Sequence, residues 1–182
     1  YINFIIMKLS DAIKKRRSVR KFLDKEVEWD KISEILDSAR YAPSAGNIQD
    51  WRFVVVSNPK IKDRLSMACY NQEHVRKAPY AIVVCSDLMK AWRAYGKRGV
   101  ELYSIQDTAA AIQNMLLQAF SLGLGTCWIG AFNAEKTKMI AGIPPKIEIV
   151  ELLALGYPVD TSKKEKVRLP LDEIVYYEKW KR

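Results

Sequence analysis

One long apolar segment constrains the fold of this chain more than any other feature. Residues 105–122 predict its longest helix, and apolar side chains cover most of that helix instead of a single stripe. These side chains are Ala109, Ala110, Ala111, Ile112, Met115, Leu116, Ala119 and Phe120. A helix that is apolar on most sides must lie in the centre of a core or against a partner subunit. The rest of the fold is therefore expected to assemble around it.

The remaining segments predict a mixture of helices and strands. Helices are predicted at residues 11–17, with Ser10 as the N-cap, and at 29–40, 60–70 and 133–141. Strands are predicted at residues 51–56, 80–85, 126–129 and 147–155. Residues 90–99 are rich in Lys, Arg, Trp and Tyr and suggest a mobile or covering segment. The fold class is thus α+β, with about four central strands and flanking helices.

Length and charge set the class of protein. The 182 residues are expected to form a single domain, residues 1–182, and we interpret residues 1–7 as an N-terminal extension instead of a signal peptide. No apolar run approaches the roughly 20 residues that span a bilayer, so no membrane partner is expected. The net charge of +9 permits anionic partners but does not choose among nucleic acids, nucleotide cofactors and acidic membranes.

Cysteine and histidine usage excludes several kinds of site. Cys69, Cys85 and Cys127 are odd in number and far apart, and His74 is the only histidine. A structural metal site and a disulfide framework are therefore not expected, which favours a reducing cytoplasm. No Gly-x-Ser-x-Gly elbow accompanies His74, which argues against a hydrolase triad. We expect His74 to be exposed and dispensable.

A basic run supplies the first candidate binding residues. Residues 14–21 place six cations and the hydroxyl of Ser18 within eight positions. Arg16, Arg17 and Arg20 cannot share one face of a regular helix, so they reach in different directions. Guanidinium groups form bidentate hydrogen bonds to phosphate oxygens, whereas the alternative is a solvated or nucleic-acid-binding surface.

Three further segments carry candidate site residues. Residues 42–51 (APSAGNIQDW) and 123–130 (GLGTCWIG) each join a helix to a strand, where loops often hold ligands. Lys166 and Arg168 form a second small cationic group. A Rossmann site is rejected, because the Gly-x-Gly of residues 123–125 follows a helix and residue 128 is Trp.

Together, the four segments resemble the nitroreductase family of FMN-dependent oxidoreductases. The matching stretches are RRSVRKF at 16–22, APSAGNIQDW at 42–51, GLGTCWIG at 123–130 and KVRLPL at 166–171. They occur in the family's order, with similar separations. The resemblance implies a central, mainly antiparallel sheet flanked by helices, and a C-terminal extension that wraps the partner subunit of a homodimer.

The resemblance also implies a role for each matching residue. The FMN phosphate and ribityl chain would be held by Arg16, Arg17, Ser18, Arg20, Lys166 and Arg168. The loop beside the flavin, contributed by the other subunit, would be Pro43, Ser44, Ala45 and Asn47. Asn71 would bond the pyrimidine edge, and the ring would pack on Trp128, Ile129, Gly130 and Ala131, with backbone N–H groups near N5 and O4. No side chain is expected to act as an essential acid or base, since the chemistry takes place on FMN.

Some positions depart from the family pattern, and the reaction has alternatives. Asp50 stands where many members have Pro, Gly130 where the best-known enzymes have Glu, and Asp107 where some members have a Gln near the ring. The implied activity is hydride transfer from NADH or NADPH, through FMN, to nitroaromatics or quinones by a ping-pong cycle. Another FMN reaction of the same fold, such as dehalogenation, flavin destruction or biosynthetic dehydrogenation, is the alternative. A basic module that binds nucleic acid is the third hypothesis, and the resemblance argues against it.

Overall fold

The structure, a computed structural model, describes residues 7–160 and 167–180. The helices are α1 (Leu9–Lys15), α2 (Trp29–Arg40), α3 (Pro59–Ala68), α4 (Glu73–Lys77), α5 (Leu88–Arg98), α6 (Ser104–Ser121), α7 (Ala134–Ala141) and α8 (Leu171–Ile174). The strands are β1 (Trp51–Val56), β2 (Tyr80–Asp87), β3 (Gly125–Ile129) and β4 (Ile147–Gly156). A 3₁₀ turn spans Ala45–Asn47, and a π-helical turn, Gly99–Tyr103, joins α5 to α6.

The four strands form one antiparallel sheet in the order β1-β2-β4-β3. This confirms the predicted α+β class and the antiparallel sheet. The β2–β4 ladder contains a bulge, since Val84 pairs with Glu151 and Cys85 with Ile149. Val150 is the extra residue, and such bulges re-aim the side chains beside them. The bulge lies level with the end of β3, where Ile129 pairs with Leu152.

The sheet separates two apolar layers. One contains Ile112 and Met115 of α6, Ile32 and Ile35 of α2, and Leu153 of β4. The other contains apolar residues of α3, α4 and the opposite strand faces, such as Leu65, Val75 and Leu152. Of the two positions predicted for the helix at residues 105–122, the structure shows the one in the core, because eight residues of α6 are buried within this chain. No helix in the described part of the chain combines the length and hydropathy needed to cross a bilayer.

Two local predictions were wrong. Helix α1 begins at Leu9 with Lys8 as its N-cap residue, so Ser10 lies inside the helix and caps nothing. Residues 90–98, predicted as a mobile or covering segment, belong to α5, which Asp87 caps through its bond from the Lys90 N–H. The helical periodicity there is broken by a non-helical Gly96 at φ 56°, which hid the helix in the sequence.

The segment after α1 runs alongside the outer strand of the sheet. The Val19 N–H donates to the Thr126 carbonyl at 2.8 Å, and Ser18 and Thr126 form a parallel bridge. Gly125 permits this close approach, because a Cβ there would lie 2.7–2.9 Å from the Val19 side chain. The basic run is thereby fixed at the start of β3.

Candidate functional site

The basic run and the C-terminal segment place their cations close together. Arg16 and Arg17 are half-buried, whereas Ser18 and Arg20 are exposed. Burial and the neighbouring positive charge of Arg168 both lower the pKa of Arg16. Two residues that are 152 positions apart in sequence therefore lie close enough for their charges to interact. Lys166, the other predicted cation, lies outside the described residues.

Arg20 reaches from the basic run to the sheet and to α4. Burial raises the pKa of the Cys127 thiol, and the charge and hydrogen bond of Arg20 partly offset this effect. Burial lowers the pKa of His74, and the charge of Arg20 lowers it further. His74 is buried at 8% exposure, so the prediction that it is exposed was wrong. Its Nε2 has no hydrogen-bond partner among the described residues.

The end of β3 faces the loop that carries Asn71. The Gln72 side-chain amide donates to the Ala131 carbonyl at 2.9 Å, and the Asn133 N–H donates to Ala68 at 2.8 Å. Asn71 adopts a positive φ of 60°, which an Asn side chain tolerates, and it is exposed. The structure thus brings Asn71 close to the turn that follows β3.

The four predicted ring-packing residues span the end of β3 and the turn after it, with Trp128 and Ile129 on opposite faces of the sheet. Trp128 is half-buried, Ile129 is buried, and Gly130 and Ala131 are exposed where β3 ends. Because β3 stops at Ile129, the backbone beyond it leaves the ladder and can present N–H groups to a ligand. A flat ring needs such a platform, together with close backbone approach at a glycine.

Glu151 stands directly behind Gly130 and was missed by sequence reasoning. A Cβ on residue 130 would lie 3.2 Å from Glu151 Oε2, which is buried without a hydrogen-bond partner in the described structure. Burial raises the pKa of Glu151, and a hydrogen bond with the Trp128 side chain partly offsets this shift. The available signal was a carboxylate, Glu151, next to the continuous apolar run of residues 152–155 in β4.

The Pro43–Asn47 residues lie in a separate, tightly held loop. The Ala45 N–H donates to both carboxylate oxygens of Asp107, at 3.0 and 3.1 Å, and the Asn47 N–H donates to the Ser44 carbonyl. Gly46 has φ 54° and packs against the Tyr95 hydroxyl, so a side chain would not fit there. Pro43 is exposed, and Ser44 and Ala45 are half-buried. In the described chain, no hydrogen bond joins this loop to the Arg16–Arg168 group.

A buried carboxylate pair supports that loop. Asp50 is fully buried and accepts a hydrogen bond from Ser86, while its Oδ1 has no partner within the described residues. Burial raises the pKa of Asp50 despite the Ser86 bond and the charges of Arg52 and Lys90. Burial also raises the pKa of Asp107, and repulsion from Asp50 adds to it. The charges of Asp50 and Asp107, two positions that depart from the family pattern, therefore affect each other.

The chemistry of these groups fits a planar, phosphate-bearing cofactor. The mutually repelling Arg16 and Arg168 suit a phosphate. The open strand end at Gly130 and the half-buried indole of Trp128 suit a flat ring. Residues 7–160 and 167–180 contain no group of three or more His, Cys, Asp or Glu side chains arranged to hold a metal ion.

Comparisons with known proteins identify the family. A family model described as "Nitroreductase family" matches residues 13–72 and 66–157. An FMN reductase (NADPH) of Bacillus subtilis is 32% identical over 181 residues, covering 92% of this chain and 72% of that protein. An NADH dehydrogenase of Thermus thermophilus is 30% identical over 199 residues, covering 94% and 97%. The NfrA1 nitroreductase structure from B. subtilis has a TM-score of 0.86 at 28% identity, covering 96% of this chain and 75% of that one. The chain belongs to the nitroreductase family.

Proposed function

We propose that this member of the nitroreductase family is an FMN-dependent oxidoreductase that transfers hydride from NADH or NADPH to small oxidised acceptors, such as nitroaromatics or quinones. The interaction between the charges of Arg16 and Arg168, beside the segment that is fixed at the start of β3, supports this proposal most directly. The FMN reductase and NADH dehydrogenase relatives support a flavin enzyme that uses a nicotinamide reductant.

The binding roles follow from chemistry and position. Arg16, Arg17, Ser18 and Arg20, with Lys166 and Arg168, would hold the phosphate and ribityl chain. Asn71 would bond the pyrimidine edge, and Trp128, Ile129, Gly130 and Ala131 would hold the ring. Bound FMN supplies a carrier that accepts a hydride from the nicotinamide and passes it to the acceptor. The protein's own contribution is position, exclusion of water and donors aimed where negative charge develops.

We also propose a homodimer with the FMN sites at its interface. Pro43, Ser44, Ala45 and Asn47 would then complete the partner's site, which agrees with the absence of bonds between this loop and the cationic group within the described chain. Exposed apolar side chains would be covered by the partner. These are Leu9, Ile13, Trp92, Ile105, Leu169, Leu171, Tyr177 and Trp180. We place the enzyme in the cytoplasm, because Cys69, Cys85 and Cys127 are unpaired.

Cofactor release and anaerobic reduction test the proposal. Cofactor released by heat should match FMN on reverse-phase chromatography, at one per chain. Mixing with NADH or NADPH in an anaerobic stopped-flow instrument should bleach the flavin band, and a quinone or nitroaromatic should restore it. A purified protein that stays colourless after incubation with FMN would refute the binding claim. Reduction by neither nicotinamide would favour another flavin reaction of the same fold.

A further inference from the structure

The Glu151 carboxyl group occupies an unusual place in the sheet. It lies just after the bulge at Val150, opposite Val84, on the sheet face that carries Leu153 and Trp128. The missing side chain of Gly130 leaves space for it, since Glu151 Oε2 and Oε1 lie 3.2 and 3.6 Å from where a Cβ of residue 130 would be. The carboxyl group therefore adjoins the backbone that the proposed function places at the flavin ring.

No neighbouring charged side chain in the described chain explains why the Glu151 carboxyl group is buried at this place. Burial raises its pKa, the Trp128 side chain partly offsets that shift, and no charged group of the described chain contributes to it. Val84 of β2 is its apolar neighbour across the ladder. Other titratable groups on the elements around the sheet are engaged elsewhere. Asp50 bonds Ser86, Asp107 bonds Ala45, Glu148 pairs with Lys138 at 2.8 Å, and Cys85 is a buried thiol.

From this geometry, and resting on the proposed function, we infer that Glu151 is a redox-linked proton-binding residue, which takes up a proton when the cofactor beside Gly130 is reduced. Hydride transfer oxidises the dihydronicotinamide to the nicotinamide cation and adds one negative charge to the flavin. That charge disfavours a neighbouring carboxylate, so Glu151 binds one proton from solvent. When a quinone is reduced, it takes the hydride from the flavin and a proton from Glu151 or water. The result is a hydroquinone and the original carboxylate.

Burial without a counter-ion makes Glu151 suitable for this role. A buried carboxyl without a counter-ion responds strongly to a nearby change of charge, because little solvent screens that charge. Glu148 differs in having a counter-ion, because Lys138 lies 2.8 Å from its carboxylate. Glu148 lies on the same strand and so provides a matched control.

The pH dependence of the flavin midpoint potential tests the inference. The measurement compares the holoenzyme, Glu151→Gln and Glu148→Gln by anaerobic spectroelectrochemistry over the range in which each variant keeps its FMN. One proton per two electrons gives a basal slope of potential against pH, and a second coupled proton doubles it. The wild type and Glu148→Gln should share a steep segment that Glu151→Gln lacks. Equal slopes in the wild type and Glu151→Gln at every pH would overturn the inference.

A second measurement needs no variant and so does not depend on how Glu151→Gln folds. Reduction of the wild-type holoenzyme in weak buffer should take up more than one proton per flavin within the steep segment, and infrared difference spectra should show a new protonated carboxyl band. Reduction without that band would refute the role of Glu151 while leaving FMN binding intact. Failure to bind FMN would instead refute the proposed function, so the two failures are distinguishable.

Discussion

At the scale of single residues, Arg20 connects the proposed phosphate group with the core. Its charge affects both His74 and Cys127, so its side chain extends toward β3 and α4. Charge-assisted hydrogen bonds contribute roughly 1.5–3 kcal/mol. Arg20→Ala should therefore weaken FMN binding by about tenfold to a hundredfold, measured as quenching of flavin fluorescence on titration. Lys21→Ala, which removes the adjacent exposed cation, is the control and should change the Kd much less. An unchanged Kd for Arg20→Ala would remove Arg20 from the site.

Gly130 offers a test of the backbone instead of a side chain. Gly130→Pro removes the N–H that the proposed function directs at the ring, and loss of one such donor costs about a hundredfold to a thousandfold in rate. Stopped-flow reduction by NADH or NADPH should slow by that order in a variant that still binds FMN. Gly130→Ala keeps the N–H and presses only on Glu151, so it should reduce the rate far less. Equal rates in the two variants would show that the N–H is not used.

Residue-level prediction from the sequence assigned cofactor-binding roles where a pattern of residue types was enough, and those roles stay predictions. Arg16 and Arg168 were paired from their motifs, and the structure places their charges close together. It failed where burial depends on the packing of distant segments. His74 was expected to be exposed, yet α4 turns it inward. Glu151 carried no motif, and its position behind Gly130 follows from the strand register alone.

At the scale of elements, periodicity and chain breakers defined several segments well. Helix α2 and strand β1 begin and end where predicted, because apolar spacing defines the helix and Asn58-Pro59 ends the strand. Strand β2 was predicted to stop at Cys85, but Ser86 and Asp87 continue it by pairing with β4. Polar residues at a strand end look like a turn until a partner strand is known. The five-residue helix α4 is too short to show a period.

The loop formed by residues 43–47 depends on buried carboxyl groups, which makes its stability dependent on pH. The folded pKa of Asp50 lies above its ordinary value of 3.8, so the folded state binds the proton more tightly than the unfolded state. Ionisation of Asp50 therefore costs folding stability as pH rises from 3.8 through the folded pKa. This cost is present in full at pH values above the folded pKa.

Asp50→Asn should raise the melting temperature at pH 7 to 8, because the amide oxygen can still accept from Ser86 and carries no charge. The gain should shrink as pH falls toward 3.8, since the wild-type carboxyl is then neutral as well. Thermal unfolding followed by circular dichroism across this range measures both effects. Asp63→Asn is the control, because Asp63 is half exposed and pairs with Arg76 on the surface. A destabilised Asp50→Asn protein at pH 8 would contradict this account.

At the scale of the whole molecule, the fold was predictable because four short motifs in register indicated one family. The antiparallel sheet followed from that family, and the burial of α6 followed from its own apolar side chains. The number of domains stays a prediction, and so do the contacts made by each cofactor-binding residue. The sequence could not supply the distances between segments, because those depend on the register of β2, β3 and β4 and on the bulge at Val150.

The exposed apolar surface of the chain predicts its oligomeric state. Helix α6 is buried along one side, but Ile105 is 52% exposed, and the C-terminal segment carries Tyr177 and Trp180 at 89% and 84% exposure. Large apolar side chains that remain open in one subunit are typical of surfaces that a partner covers. We therefore expect a homodimer of twice the 20.9 kDa chain, with an interface of roughly 2,000–5,000 Å².

Light scattering on the FMN-bound protein measures the assembly, and deletion of residues 176–182 tests how it forms. Because Tyr176 and Trp180 stack at 4.1 Å and would be covered together by the partner, the deletion should weaken dimerisation and FMN affinity in parallel. Met139→Ala removes an apolar side chain that is 77% exposed on α7, outside the proposed interface, and should change neither property. A monomer with FMN bound would contradict the dimer, because Pro43, Ser44, Ala45 and Asn47 would then complete no second site. A truncated protein that keeps both dimer and cofactor would show that the tail contributes to neither.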